Sequence, residues 1–214
     1  MSAPTSRLRP PLAVAIGFMA GAIPFSNVMA RWKSGVDLRG VGTGTVSGSG
    51  LAKVAGTGPL VAAGLFEVAK GALGPAVAGR EHPVSAALAG AAAVVGHNWS
   101  PWLGGAGGRG ISPAMGALLV TAPAGSLLLL GGLAGGKLAG ETALGSVVAD
   151  ALLVPVAGRA HGCKGGLAAA AVLTPMLAKR LVGNRRPDQA GCRVYLYRLL
   201  FDRDTRRNAE EAAS

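Results

Sequence analysis

Apolar runs broken by short glycine-rich or basic segments make up most of this chain. The runs lie near residues 12–30, 54–79, 84–96, 111–122, 123–136, 143–158 and 165–180. Each reads as a helix. Several are shorter than the roughly 20 residues a helix needs to cross a bilayer core. The pattern predicts an all-α, polytopic membrane bundle of about seven spans, some of them short. The count falls to five if 111–136 is one span and 143–180 another. Pro113, Pro123, Pro155 and Pro175 fall inside or between the runs. They are tolerable there only if neighbouring helices, side chains or water satisfy the carbonyls they free.

Composition agrees with a bilayer as solvent. Half of the 214 residues are hydrophobic, 14% are charged and the mean hydropathy is +0.43. That is too apolar for an ordinary soluble domain. Glycine is abundant, at 35 residues, and small residues let membrane helices approach closely where lipid supplies little drive for association. Two cysteines, Cys163 and Cys192, make neither a disulfide framework nor a metal site. No cleavable signal peptide is expected, because the apolar run after the basic N-terminus leads into more membrane.

Charge orients the chain. Arg31, Lys33, Arg39 and Lys53 face a single acid, Asp37, within 31–53, and the tail beyond residue 178 is strongly basic. By the Lys/Arg bias both are cytoplasmic, which requires an odd number of spans with the N-terminus outside. Arg159 and Lys164 run against that bias on the seven-span count. A membrane domain over 1–185 and a basic cytoplasmic tail over 186–214 follow. Beside a membrane, a basic tail meets anionic headgroups, and nucleic acid is not implied.

Two polar, glycine-rich segments then face the cytoplasm. In "DLRGVGTGTVSGSGLAKVAG" (37–56), glycines alternate with Thr43, Thr45, Ser47 and Ser49 before a helix begins. Free N–H groups at a helix N-terminus attract anions. In "VVGHNWSPWLGGAGGRG" (94–110), Arg109 sits among Gly107, Gly108 and Gly110, where the backbone can approach a ligand and a guanidinium can bind phosphate bidentately. Trp99 and Trp102 suit headgroup depth. Neither segment matches a nucleotide-binding loop. Glu67 and Lys70, three apart, share one helix face and can pair. Asp150 stands alone in its run, either protonated or reaching Arg159. Residue chemistry alone implies a membrane protein with a cytoplasmic-face pocket for a phosphorylated ligand.

Four stretches in order resemble signatures of the bacterial acyl-phosphate:glycerol-3-phosphate acyltransferases. They are "GAIPFSNVMAR", "DLRGVGTGTVSGSGLAKVAG", "FEVAKG" and "VVGHNWSPWLGGAGGRG". The resemblance covers most of residues 10–185. It implies transfer of a fatty acyl group from acyl phosphate to the 1-hydroxyl of glycerol 3-phosphate, giving lysophosphatidic acid and phosphate, with no metal or cofactor. Membrane lipids and a soluble enzyme that makes acyl phosphate are the implied partners. An acyl phosphate is already activated, so the protein needs to hold two phosphates and aim a hydroxyl. On the matching positions, His97, Thr43 and Arg109 are the expected catalytic residues. Arg39, Ser49, Lys53, Lys70, Asn98, Gly107, Gly108, Gly110 and Arg180 are the expected substrate-binding residues. His97 would position the hydroxyl, and the substrate's own phosphate is a candidate base.

The chain also departs from the family pattern. Both asparagines of S-G-N-x-G-A-T-N are absent, Lys53 replaces an Arg, Glu67 an Asp and Arg109 a Lys. The C-terminal H-R-x-N-I-x-R-L-x-x-G-x-E is reduced to Arg180 and Leu181, with Thr174 at the His position and Leu177 at the Asn. The alternatives are a non-catalytic homologue that binds phosphorylated lipid or a partner enzyme, and, third, a transporter.

Overall fold

The computed structural model describes residues 5–185, 187 and 191–202, with side chains from residue 10. Most of the tail expected from 186 onward lies outside the described residues. Every regular element among them is helical: α1 (Thr5–Ala22), α2 (Phe25–Ser34), α3 (Gly48–Ala55), α4 (Thr57–Ala78), α5 (Pro83–Asn98), α6 (Ile111–Thr121), α7 (Pro123–Leu138), α8 (Thr142–Val182) and α9 (Cys192–Phe201). Among the described residues, three stretches are long and apolar enough to cross a membrane: Pro10–Ser34, Thr57–Ala78 and Thr142–Val182.

The expected runs map onto these helices with two differences. The run 12–30 is split at Ile23–Pro24, between α1 and α2. Proline has no N–H and cannot continue the ladder. The runs 143–158 and 165–180 are the two limbs of a helical hairpin, α8, with no loop between them: the chain reverses at Gly162, with φ 67° and ψ −164°, a conformation that only glycine adopts without strain. The two limbs lie side by side. The Cα atoms of Gly158 and Gly166 face each other closely enough that a Cβ on Gly166 would be 3.5 Å from Gly158. Near the limbs' other ends, Arg180 reaches Ser146 at 2.5 Å.

Glycine and alanine set the helix spacing. A Cβ on Gly21 would lie 2.1 Å from the Ala93 carbonyl oxygen, so α1 and α5 touch backbone to backbone. A Cβ on Gly116 would lie 1.8 Å from the Val68 carbonyl oxygen, and one on Gly145 2.2 Å from that of Gly132. These contacts join α4 to α6 and α7 to α8. Dispersion gained at such short spacing substitutes for the hydrophobic drive that lipid removes. Leu118, Leu129, Leu153 and Val172 fill the remaining core between α6, α7 and α8.

The helix directions divide the molecule into two ends. One holds the turns at 79–82, 122 and 162. The other gathers the polar segments 35–47 and 99–110, the end of α8 and α9, which meet through hydrogen bonds described below.

Candidate functional site

The site grows out of the Pro24 break. A helix interrupted here leaves backbone groups without intrahelical partners. Ser26 N–H donates to Glu67 Oε1 at 3.2 Å, and its hydroxyl to the same oxygen at 3.3 Å. The Ala22 carbonyl accepts from Ser100 Oγ at 2.6 Å, and the Ile23 carbonyl from Lys70 Nζ at 2.5 Å. The break thus anchors three residues from α4 and from the loop after α5.

Glu67, Lys70 and His97 form a compact buried cluster. Glu67 Oε2 lies 2.6 Å from Lys70 Nζ and 2.9 Å from His97 Nδ1, and Lys70 Nζ lies 3.2 Å from the same ring nitrogen. Glu67 and Lys70 are 2% and 3% exposed. The i, i+3 pair read from the sequence is present, and His97 joins it as a third partner. Glu67 was missed as a site residue. Its proximity to Lys70 was legible, but its bond to a histidine 30 positions on was not.

Loop 104–110 closes over this cluster. Gly108 N–H donates to the His97 carbonyl at 3.3 Å, and a Cβ on Gly108 would sit 2.1 Å from His97 Nε2. A Cβ on Gly107 would meet the carbonyls of His97 and Asn98 at 2.1 and 2.4 Å. Gly110 has φ 79° and abuts Asn98. The glycines at 107, 108 and 110 therefore allow close packing on the end of α5. Asn184, unassigned in the sequence reading, knits the loops together. Its Nδ2 donates to the carbonyls of Gly44 and Gly107 at 2.8 Å each, and its Oδ1 accepts from Gly107 N–H at 3.2 Å. Val46 N–H also donates to the Gly107 carbonyl at 3.1 Å.

Several expected site residues also make contacts within the bundle. Asn98 is fully buried and donates to the Pro175 carbonyl at 2.8 Å, tying α5 to α8. Arg180 is buried among Ser146, the Leu199 carbonyl at 2.9 Å and Asp150 at 3.8 Å, so it joins the limbs of α8 to α9. Asp150 accordingly faces Arg180, and the expected contact with Arg159 is replaced. Arg109 donates to the Lys179 carbonyl at 2.7 Å and pairs with Asp202, while its Nε is buried without a partner. Burial pushes the Asp202 carboxyl up, against the pull of Arg109.

The first polar segment is more open. Arg39 pairs with Asp37 at 2.7 Å and remains 44% exposed. The Arg39 guanidinium, helped by Arg31, holds the Asp37 carboxyl well below the usual carboxylate range. Thr43 bonds Thr45 at 2.9 Å, and Ser49 bonds Ser47 at 3.0 Å. Ser47 caps α3 by accepting from Gly50 N–H at 3.2 Å. Lys53 lies exposed on α3. The structure thus brings His97, Lys70, Gly107, Gly108 and Arg109 together, with Thr43, Ser49, Arg39 and Lys53 on the flanking segment.

Lys179 is the third residue the sequence reading passed over. It is 1% exposed, and its ammonium lies 5.1 Å over the Trp99 ring. A cation–π contact contributes about 0.5–2 kcal/mol, whereas burying an unpaired ammonium costs several kcal/mol. Trp99 alone does not offset that burial.

A sequence model of the glycerol-3-phosphate acyltransferase family matches residues 11–184, ending at Asn184. A glycerol-3-phosphate acyltransferase of Dehalococcoides mccartyi is 35% identical over 151 residues, 68% of this chain and 64% of the relative. One from Myxococcus xanthus is 38% identical over 117 residues, 53% of this chain and 61% of the relative. The matches thus span less than two thirds of these relatives' length. The crystal structure of PlsY, an integral membrane glycerol 3-phosphate acyltransferase, in its glycerol 3-phosphate form superposes with a TM-score of 0.71. That likeness covers 80% of this chain and 88% of that one at 23% identity, and it bears on the fold. With the family match running from the first apolar helix through the residue that joins the site's loops, the chain belongs to the glycerol-3-phosphate acyltransferase family.

Proposed function

We propose that this chain is a membrane acyltransferase that moves a fatty acyl group from acyl phosphate to the 1-hydroxyl of glycerol 3-phosphate. The observation that carries the reading is the Glu67–Lys70–His97 cluster beneath the glycine-rich loop. Glu67 accepts from His97 Nδ1, which leaves Nε2 facing the Gly108 backbone as a hydrogen-bonding group. Nε2 orients the acceptor hydroxyl. Its oxygen attacks the acyl carbon, the bond from that carbon to the phosphate oxygen breaks, and phosphate leaves with the hydroxyl proton. The donor is already activated, so alignment and charge neutralisation supply the catalysis and no covalent enzyme intermediate is required. Arg109, Lys70 and the hydroxyls of Thr43 and Ser49 contribute positive charge and hydrogen bonds around the two phosphates.

The test is transfer by the purified full chain, with acyl phosphate and labelled glycerol 3-phosphate. Labelled lysophosphatidic acid is expected. Absence of product, while an intact family member works beside it, replaces this reading with a homologue that binds phosphorylated lipid without turning it over.

The site lies at the cytoplasmic face of a bacterial inner membrane in this proposal, in a bundle of seven spans with the N-terminus outside. The Lys/Arg bias supports that orientation. Two exposed cysteines, Cys163 beside the Gly162 turn and Cys192 at the start of α9, provide the measurement. A membrane-impermeant thiol reagent on intact spheroplasts should modify Cys163 and spare Cys192 until the membrane is opened. Labelling of Cys192 from outside reverses the topology.

A further inference from the structure

We propose that Lys179 is a phosphate-binding residue of this chain, supplying beside His97 and Arg109 the positive charge that the eroded C-terminal signature no longer brings. The inference rests on the acyl-transfer reading of the site, but its binding arm can be tested apart from it. The resemblance assigns nothing to this position, which is an unspecified residue immediately before the retained Arg180.

Four cations are buried among the described residues: Lys70, Lys179, Arg180 and Arg198. Lys70 is paired with Glu67, Arg180 lies against Ser146 and Asp150, and Arg198 donates to the carbonyls of Leu181, Val182 and Arg185. Among the described residues, Lys179 Nζ meets no carboxylate and no hydrogen-bond acceptor. It faces the Trp99 ring, which can hold a cation but cannot replace a counter-ion. A buried ammonium with no acceptor is a site in want of an anion.

Its neighbours make the same demand. The Lys179 carbonyl receives the Arg109 guanidinium at 2.7 Å, so the two residues are adjacent. The charge of Lys179 acts on both His97 and Arg109. Arg109 Nε is buried without a partner. His97 donates from Nδ1 to Glu67 and leaves Nε2 against Gly108. Two cationic groups, Lys179 Nζ and the Arg109 guanidinium with its unpartnered Nε, therefore neighbour one another at the end where the loops meet. A doubly charged terminal phosphate fits that set: it is the one chemical feature shared by glycerol 3-phosphate and acyl phosphate, and it accepts from several donors at once. Lysine provides it with a compact charge on a flexible stem, a complement to the planar guanidinium of Arg109.

The experiment compares parent, K179M and K179R, each as the full chain in detergent, with thermal unfolding as the fold control. Inorganic phosphate and glycerol 3-phosphate are titrated calorimetrically. K179M should weaken both by roughly ten- to a hundredfold, the range of a charge-assisted hydrogen bond, and K179R should recover part of the loss. In the transfer assay KM should rise more than kcat falls. Separate titrations of glycerol 3-phosphate and acyl phosphate then show which substrate's phosphate Lys179 holds. Where K179M yields no folded protein, K179Q carries the same expectation. Phosphate binding by K179M or K179Q equal to that of the parent overturns the proposal. So does an equal loss in K179R, which marks a packing role, and so does a parent that binds no phosphate. A parent that binds glycerol 3-phosphate through Lys179 but transfers no acyl group overturns the catalytic reading and leaves the role of Lys179 standing.

Discussion

Replacing His97 with Ala should lower acyl transfer by at least about a hundredfold while the purified chain stays folded. A positioned group acting on the reacting hydroxyl contributes typically about 10²–10⁴ in rate, and His97 is the imidazole the structure places between a buried carboxylate and the glycine loop. The fold should survive because the 2.6 Å Glu67–Lys70 pair remains charge-balanced without the ring. Gly108→Ala should give a related defect by a different route. Its new Cβ would fall 2.1 Å from His97 Nε2 and 2.8 Å from the Val46 carbonyl oxygen. The backbone cannot give that much, so the ring must turn and Nε2 loses its aim. Because both changes act on the same nitrogen, Gly108→Ala in the His97→Ala background should reduce turnover much less than it does in the parent. Steady-state rates for the four proteins give the answer. Parent-like turnover in His97→Ala removes the ring from the chemistry.

The sequence made some of this legible and hid the rest for physical reasons. Helix existence was readable, because burial in lipid demands continuous apolar runs and the runs end at polar glycine-rich segments. The split at Pro24 was not read, although the proline was visible, since the run remains apolar across it. The joined α8 was readable as two runs but not as a hairpin, because a lone Gly162 inside an apolar stretch does not declare its φ. Within the site, residues close in sequence were readable together, as with Glu67 and Lys70. Contacts made across the bundle were not: Glu67 to His97, Asn98 to Pro175, and Asn184 to the carbonyls of Gly44 and Gly107. Motif position predicted which end of the molecule these residues occupy but not what each side chain touches. Arg180 shows the limit, being retained from the family signature yet committed to Ser146, Leu199 and Asp150.

The contribution of α9 belongs to the same argument. It follows the family match, which ends at 184, yet it reaches back into the site's surroundings. Arg198 caps the end of α8 by donating to the carbonyls of Leu181 and Val182 at 3.2 and 2.8 Å. Asp202, in the left-handed region with φ 57°, pairs with Arg109. The chain thus supplies near Arg109 an acid from beyond the matched region, where its C-terminal signature lacks one.

Removing Glu67 alone should be the most destabilising single change in the cluster, and removing Glu67 and Lys70 together should cost less. Breaking a buried pair by deleting one partner typically costs about 3–5 kcal/mol, because the survivor is left as an uncompensated charge, whereas replacing both by apolar residues is often near neutral. Here the two single changes should differ. In Glu67→Gln, Lys70 loses its carboxylate partner and is left with neutral acceptors, the new amide oxygen and the Ile23 carbonyl at 2.5 Å. In Lys70→Met, Glu67 still has His97 at 2.9 Å, which can take up a proton and serve as the counter-ion. It also keeps the N–H and hydroxyl of Ser26. The expected order of apparent Tm in detergent is therefore parent, then Lys70→Met, then Glu67→Gln. The double change, Glu67→Gln with Lys70→Met, should lie above Glu67→Gln. The activity of that double variant should nevertheless be lost, since His97 then has no carboxylate to fix its ring. Unfolding curves for the parent, the two single variants and the double variant decide the matter. Two single losses that simply add in the double variant would mean that the 2.6 Å contact contributes no coupling, and the cluster would have to be reread as independent packing residues.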